Sequence, residues 1–468
     1  MPRAVVYNSF WATGGGAEAY GGAIAELLSR DHAVVLLGHE TFDLDVLAER
    51  LSLDLSACSV QTVPQTSAAV TGASRDADLF VNVSHRSRAE SAAARSLYVV
   101  HFPTVFAAGT SAEVSGQVQW GTGWHPPEER ATWSDGRGTL LVTGPAELTI
   151  RVGFARPDPT ELRVLVAGQE AARAIVGGRR PLLRRSGQPI RVQVDAAGPV
   201  EVVLESATFQ PPGERRTLGV PVQAVQVGGR RTSPSSSMAW LDGYDVVVAN
   251  SAFTSHWVRE LWGRDSTVLH PPVILRSPGR KERAILSVGR FIPTGRGHSK
   301  KQLELVQAFR RLVDDGLVGW TLHLVGGLAG PGRAYFAQLE SAAAGYPVEL
   351  HPDATGAELA GLYAQASLYW HAAGLGEGDP ERLEHFGIST VEAMSAGAVP
   401  VVVALGGRVE TVRDGVDGYL FDDVDGLVRR TRELITDDAL RRQMSLSAQQ
   451  RAQDFSLPAF DERLQRLL

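Results

Sequence analysis

The period of the apolar residues changes twice along this chain, and no other feature limits its fold so strongly. Up to about residue 103, short apolar runs alternate with helical patterns. Residues 4–7 (AVVY) read as a buried strand, followed by the loop WATGGG at 11–16. A helix then carries Tyr20, Ile24, Leu27 and Leu28 on one face, and residues 33–37 supply the next strand. Residues 78–83 and 96–100 are two more strand candidates. Strand, helix and strand in repetition predict a parallel sheet covered on both faces. Such sheets bind ligands at the carboxyl ends of their strands.

Between about residues 106 and 229 the period becomes two. Leu148, Ile150, Val152 and Phe154 alternate with polar or small residues, and so do Ile190, Val192 and Val194. Residues 139–142, 162–166, 200–204 and 222–227 are further strands, with Pro and Gly in nearly every gap (GPAE, RPDPT, GGRRP, QPPGE). This texture predicts an all-β sandwich of about 120 residues, left through a flexible linker, RRTSPSSS at 230–237. The α/β texture resumes with YDVVVAN (244–250) and the helix SAFTSHWVRELWG. The sandwich, 104–237, is therefore an insertion in a first domain made of 1–103 and 238–272. Its two ends are expected to lie close together, as for an inserted domain. After Pro271 and Pro272 a second α/β series supplies strands at 284–288, 321–325, 347–350, 368–371 and 399–403, which defines a second domain over 273–454. Two tandem parallel-sheet domains imply a cleft between them.

Composition excludes several classes. A net charge of −6 lacks the basic surface of a nucleic-acid binder. The single cysteine, Cys58, excludes an intramolecular disulfide and a Cys-rich zinc site. No apolar run approaches the ~20 residues of a membrane span, and the first residues, MPRAVVYNSF, lack a signal-peptide core. These features read as a cytoplasmic chain. No group of His, Asp and Glu has the spacing of a strong metal site.

Three stretches carry candidate chemistry. The loop GGGAEAY precedes the first helix, where glycines and free N–H groups suit a phosphate. It is neither a Walker A loop nor a full dinucleotide fingerprint, and a plain tight turn stays open. In LSVGRFIPTGRGHSKKQLELVQAF (286–309), Arg290 falls just past a strand end. Lys300 falls at the start of a helix with Leu303, Val306 and Phe309 inward. A lysine there opposes the helix dipole unless an anion sits beside it. The third stretch, EHFGISTVEAMSAGAVPVVV (384–403), holds Glu384 and Glu392 around a helix start. Ser389 and Glu392 fit a capping box, which leaves Glu384 unexplained. Phe386, Gly387 and Ile388 would then face backbone N–H groups toward an anion, and a carboxylate can accept from two vicinal ribose hydroxyls. Residue chemistry leaves both readings open.

The Glu384-x7-Glu392 stretch, with GGRVETVRDGVDGYLF (406–421) after it and VGRF…HSKKQLELVQAF before it, resembles the signature of glycosyltransferase family 4. VVANSAFTSHWV (247–258) and VVHFP (99–103) are similar to its first-domain landmarks, and the wording HFGIS is similar to the lipid-linked-oligosaccharide mannosyltransferase branch. The resemblance covers both α/β domains and not the insertion. It implies a GT-B fold, two Rossmann-like domains facing across a cleft, and transfer of a hexose from a nucleotide-diphosphate sugar with retention of configuration. GDP-mannose or a UDP-sugar would be the donor, and a glycan or lipid-linked glycan of cell-surface polysaccharide assembly the acceptor. No metal or other cofactor is implied, and any membrane association would be peripheral, at the inner face, through the acceptor. Arg290 and Lys300 match the diphosphate-binding pair, Glu392 the ribose-binding acid and Glu384 the acid near the donor hexose. Phe386, Gly387 and Ile388 lie at the donor-binding turn. His101 matches the histidine near the reacting carbon, and Gly15 and Gly16 the loop over the phosphates. The family often has Lys-Gly where this chain has Lys300 and Lys301, and the preceding loop is longer here, so either lysine fits the role. In GT-B proteins a last helix crosses back to the first domain. Ser456 would cap such a helix (455–468), with Phe460, Leu464 and Leu467 on one face; packing on its own domain is the alternative.

Trp120, Trp124 and Trp133 in the insertion read as core residues, with stacking on sugar rings as the alternative. Two rival functions stand beside transfer. One is a GT-B phosphorylase, which would need a lysine-bound pyridoxal phosphate; the family 4 acid pair argues against it. The other is a non-catalytic glycan-binding or scaffold protein in which the sandwich is the working part.

Overall fold

The computed structural model describes residues 1–468 apart from 104–117, 126–130, 154–155, 157, 179–187, 196–197, 212–215, 228–229, 233–238 and 294–298. The chain forms two compact units, one of Met1–Pro103 with Tyr244–Leu468, the other of Thr104–Gly243.

The first unit holds two parallel sheets. Across the first, the strands run Thr267–Val268, Val246–Ala249, Arg95–Val100, Leu79–Asn82, Arg3–Tyr7, Ala33–Gly38 and Cys58–Thr62. Ala4, Val5 and Val6 are fully buried, as a strand covered on both faces requires. Cys58–Thr62 was not foreseen: it is an edge strand whose residues, CSVQT, are polar and only partly buried. The second sheet runs Val348–Pro352, Thr321–Gly326, Ala284–Val288, Leu368–His371, Val399–Val403 and Tyr419–Phe421. One of its faces buries Phe309, Leu322, Leu324 and Trp370; the other buries Leu286, Tyr369, Met394 and Phe455.

The last helix, Leu457–Gln465, is capped by Ser456, whose hydroxyl accepts from the Ala459 N–H. It lies on the first sheet's domain. Phe460 and Leu464 are each 1% exposed in the same core as Tyr20, Leu28 and Leu36. Phe460 meets Tyr20 edge-to-face at 5.4 Å, and Arg30 pairs with Asp461 at 2.7 Å. Among the described residues no helix is long and apolar enough to cross a membrane.

Among the described residues, the strands of the second unit all pair antiparallel. One sheet runs Gln169–Val176, Thr160–Val166, Pro199–Ser206, Arg137–Thr143 and Val118–Trp120. The other runs Gln188–Val194, Ala146–Val152, Pro221–Val227 and Arg230–Thr232, with Thr132–Trp133 also on Pro221–Val227. Alternate residues of both sheets, among them Leu140, Val142, Leu162, Leu148, Ile150 and Val225, share one core. Trp133 is buried, whereas Trp120 and Trp124 pack on each other at 4.6 Å beside that core. The Trp124 indole N–H donates to the Thr139 carbonyl.

Two expectations are corrected. Arg230–Thr232 is a strand paired with Pro221–Val227, not linker; of the rest of that segment, 233–237 lies outside the described residues. The ends of the insertion are not adjacent. Arg95–Val100 and Val246–Ala249 are parallel neighbours, with Leu97 opposite Val246. The chain therefore leaves at the carboxyl edge of the sheet and returns at the amino edge, as any parallel crossover must. At ~3.3 Å per residue, the three residues of ladder between the levels of Val246 and Val100 amount to about 10 Å.

Candidate active site

The first glycine loop is held by a carboxylate that the sequence reading passed over. Helix Gly16–Leu28 begins after Gly15, and Glu18, 4% exposed, turns back beneath the loop. Its carboxylate accepts from the Gly15 N–H (2.6 Å), the Thr13 hydroxyl (2.6 Å) and the Asn8 amide (2.8 Å). The available signal was an acid three residues after a glycine at a helix start. Gly15 and Gly16 are exposed, and a Cβ on Gly16 would lie 3.3 Å from Ile388 Cδ1. The loop thus faces the helix start at Gly387.

That helix, Ile388–Ser395, starts from Gly387 at φ +97°, a backbone that favours glycine, and has no side-chain cap. This corrects the capping-box reading. The Ser389 hydroxyl accepts from Tyr369 at 2.8 Å, and Glu392 is engaged elsewhere. In the first turn the Thr390 N–H donates to the Gly387 carbonyl, which leaves the Ile388 and Ser389 N–H groups without an intrahelical partner, the arrangement that binds anions. Phe386 is buried against His270 and Phe455 and fixes the turn from below. At the other end of the helix, the Lys281 ammonium donates to the carbonyls of Ala396, Ala364 and Ala366.

Glu384 is the centre of a partly buried charge network. One of its oxygens accepts from Lys300 at 2.5 Å and from the His371 Nε2–H at 3.1 Å. Its carbonyl accepts from the Gly407 N–H. Fully buried Arg408 stands beside it and donates to the carbonyls of Val403, Ala373 and Leu405. Lys300 reaches Glu384 because Gly289 leaves room for its stem: a Cβ there would sit 2.5 Å from Lys300 Cγ. Lys301 is the residue preceding helix Gln302–Asp314, at φ +56°. Lys300, not Lys301, is thus the lysine at Glu384. Arg290 is exposed just beyond strand Ala284–Val288, and its carbonyl accepts from the Gln302 amide.

Glu392 accepts from Arg276 Nε at 3.0 Å, from Arg276 Nη2 at 2.6 Å and from the Tyr363 hydroxyl at 3.0 Å. His101 lies across the domain boundary, half-buried and edge-on to Tyr20 at 6.2 Å. Its Nε2–H donates to the Val83 carbonyl at 2.8 Å, which leaves Nδ1 as an acceptor. Beside it, Phe102 stacks on His385 at 4.3 Å. Glu410 accepts from the Ala252 and Phe253 N–H groups and from His270, so the second domain caps a helix of the first. The structure gathers Lys300, Glu384, Gly387 and Ile388 at one place, with Gly16 opposite. His371, Arg408 and Arg276 were not foreseen, because isolated residues inside apolar or charged runs carry no local signal.

Burial acts to raise the Glu384 carboxyl, but Lys300, the His371 N–H and Arg408 outweigh it and hold the acid well below the usual carboxylate range. Burial lowers His371 to about 4, against Glu384 and aided by Arg408 and Lys300. His101 is lowered by desolvation as well, against the Val83 carbonyl and Glu18. His371 is therefore neutral in the folded chain at neutral pH. As pH falls below about 6.5 the unfolded chain takes a proton that the folded chain refuses until about 4, so stability drops across that window. Urea unfolding of His371→Gln between pH 7 and 4 is expected to show a shallower decline than the parent, by at most about 3 kcal/mol over the window. Parallel curves would show that His371 titrates as an ordinary histidine.

Two α/β domains whose strand ends meet over an open helix N-terminus, with a lysine and two carboxylates around it, have the arrangement of a GT-B fold. Residues 276–451 match the family model described as "Glycosyl transferases group 1". The alpha-1,3/1,6-mannosyltransferase ALG2 of Rhizomucor pusillus is 39% identical over 87 residues, 18% of this chain and 19% of that protein. The D-inositol 3-phosphate glycosyltransferase of Salinispora arenicola is 35% identical over 111 residues, 23% of each. The chain thus spans about a fifth of the length of these curated relatives. The crystal structure of Anabaena HepE in complex with UDP and glucose is similar over 100% of this chain and 99% of that one, with a TM-score of 0.55 and 13% identity. Sucrose-phosphate synthase from Thermosynechococcus elongatus has a TM-score of 0.55 at 14% identity, over 99% of this chain and 98% of its own. At such identities the likeness is one of fold.

Proposed function

We propose that this chain is a retaining hexosyltransferase of glycosyltransferase family 4. It would move a hexose from GDP-mannose or a UDP-sugar to a glycan or lipid-linked glycan acceptor. The observation that carries the reading is the uncapped helix start at Gly387, facing Gly16 and flanked by the Lys300–Glu384 pair. The match of residues 276–451 to the group 1 family model supports it.

In transfer, the bond from the anomeric carbon to the diphosphate breaks. The diphosphate leaves with the electron pair, and the acceptor oxygen bonds to the carbon and gives its proton to the departing phosphate oxygen. The departing diphosphate gains negative charge, which preorganised cations and N–H dipoles stabilise. The N–H groups after Gly387 and the Arg290 and Lys300 side chains supply these. An ammonium has three donors, so Lys300 can hold Glu384 and a phosphate oxygen together. His101 Nδ1 is the acceptor for a sugar hydroxyl. A carboxylate has about four lone-pair sites, so Glu392 keeps capacity for ribose while Arg276 and Tyr363 hold it. A lipid-linked acceptor would bring the chain to the cytoplasmic face of a membrane.

The test is a thermal-shift screen with UDP, GDP, UDP-glucose and GDP-mannose, followed by NMR of the product anomer. A nucleotide at 100 times its dissociation constant adds about 2.7 kcal/mol of stability. Activity is expected to continue in excess EDTA; complete loss with rescue by Mg²⁺ would overturn the metal-free reading. No stabilisation by any nucleotide and no donor hydrolysis would favour the scaffold reading. Arg276→Ala is expected to weaken nucleotide affinity about tenfold with turnover nearly unchanged, because it frees a ribose-binding carboxylate from its fixed position. An equal fall in turnover at saturating donor would place Glu392 nearer the reacting carbon.

A further inference from the structure

Apart from the residues around Glu384, the second sheet brings three ligand-type side chains to one point. Val348–Pro352 is its edge strand, paired in parallel with Thr321–Gly326 so that His323 stands opposite Glu349. His351 follows two residues on and so projects from the same face. His323 Nδ1 and His351 Nε2 are 3.1 Å apart, and a Glu349 oxygen lies 3.5 Å from the first and 3.7 Å from the second. A hydrogen-bonded carboxylate would close on one N–H to ~2.7–2.9 Å. Here it stands off from both nitrogens by nearly equal amounts. The three atoms lie on a circle of about 2.0 Å radius, close to the Zn–N and Zn–O bond lengths of ~2.0–2.2 Å.

We propose that His323, Glu349 and His351 bind a divalent transition-metal ion, best matched by zinc, which ties the edge strand to its neighbour. Two imidazoles and a carboxylate on one side leave a fourth tetrahedral position for water. The Glu349 side chain is 59% exposed and His351 28%, so an ion reaches the site from solvent, while His323 at 15% gives it a firm base. The carboxylates of Glu282 and Glu358 act on His323 and His351 and add to the negative field around the point. The reading that no His, Asp and Glu spacing suits a metal missed this group because two of its ligands share a strand and the third comes across a β-ladder. The site takes no part in the proposed transfer, so its test stands apart from that reading.

The full chain, stripped with chelator and dialysed, is titrated with ZnCl₂ by calorimetry and with CoCl₂ by visible absorption. One saturable equivalent of Zn²⁺ per chain, tetrahedral Co²⁺ bands and a Zn²⁺-dependent rise in Tm are expected. His351→Asn and His323→Gln should each weaken binding at least tenfold and remove the Tm rise, and Glu349→Gln should weaken binding 10- to 100-fold. If the His323 variant does not fold, the two edge-strand variants decide. Absence of a saturable equivalent in the parent chain, or unchanged affinity in His351→Asn, would overturn the proposal.

Discussion

Glu384→Ala is expected to lower turnover by about 10²- to 10³-fold while leaving nucleotide affinity within about threefold. The carboxylate holds Lys300 and His371 in one arrangement beside the open helix start. Without it, the lysine has no reason to stay where a diphosphate leaves, and its contribution at the transition state is lost. Ground-state binding rests mainly on other groups, namely the N–H groups after Gly387 and Glu392. Folding should suffer modestly, by about 1–3 kcal/mol. Breaking a buried pair costs ~3–5 kcal/mol, but both side chains retain some solvent contact here. Glu384→Gln preserves shape and one hydrogen bond, so it should keep the stability and still lose the turnover. Steady-state donor hydrolysis with nucleotide titrations separates the two effects. If both variants turn over like the parent, or lose affinity and stability in proportion, Glu384 is structural only.

The largest stability effect is expected at the other end of the chain. Phe460→Ala should destabilise the α/β unit by about 3–5 kcal/mol, the usual range for deleting a buried phenyl ring. Phe460 is 1% exposed and fills space against Tyr20, so the variant opens a cavity and loses an edge-to-face contact. Phe460→Leu retains most of the volume and should cost less than about 2 kcal/mol. Equilibrium urea unfolding of both variants measures this. A loss below about 1 kcal/mol for the alanine variant would mean that the terminal helix frays from the first domain in solution.

Much of the secondary structure could be read because it is a local property. The strands at Arg3–Tyr7, Ala284–Val288, Leu368–His371 and Val399–Val403 are short runs buried on both faces. The alternation in Ala146–Val152 and Gln188–Val194 reports sheets buried on one face. Some edge strands were missed for the complementary reason. Cys58–Thr62 and Gln169–Val176 face solvent enough that their composition resembles loop. The capping-box reading of Ser389 and Glu392 failed although the motif was present. Tyr369 and Arg276, distant in sequence, claim those side chains, and the helix starts from Gly387, two residues before Ser389.

By itself, then, the sequence determined which segments are strands and helices in the buried sheets, where the texture changes, and which residue types gather near strand ends. Hydrophobic period and turn chemistry act over a few residues, so they are written locally. Tertiary structure decided the rest. It paired Lys300, rather than Lys301, with Glu384, and it keeps His371 neutral by burying it. It placed Phe460 in the core of the first domain and set the two ends of the insertion at opposite edges of a parallel sheet. It also assembled His323, Glu349 and His351 across a strand pair. Each of these depends on which distant segments become neighbours, and on how much water is removed between them. Burial and pairing set the charge state and partner of every such group, and neither quantity is a property of the residue alone.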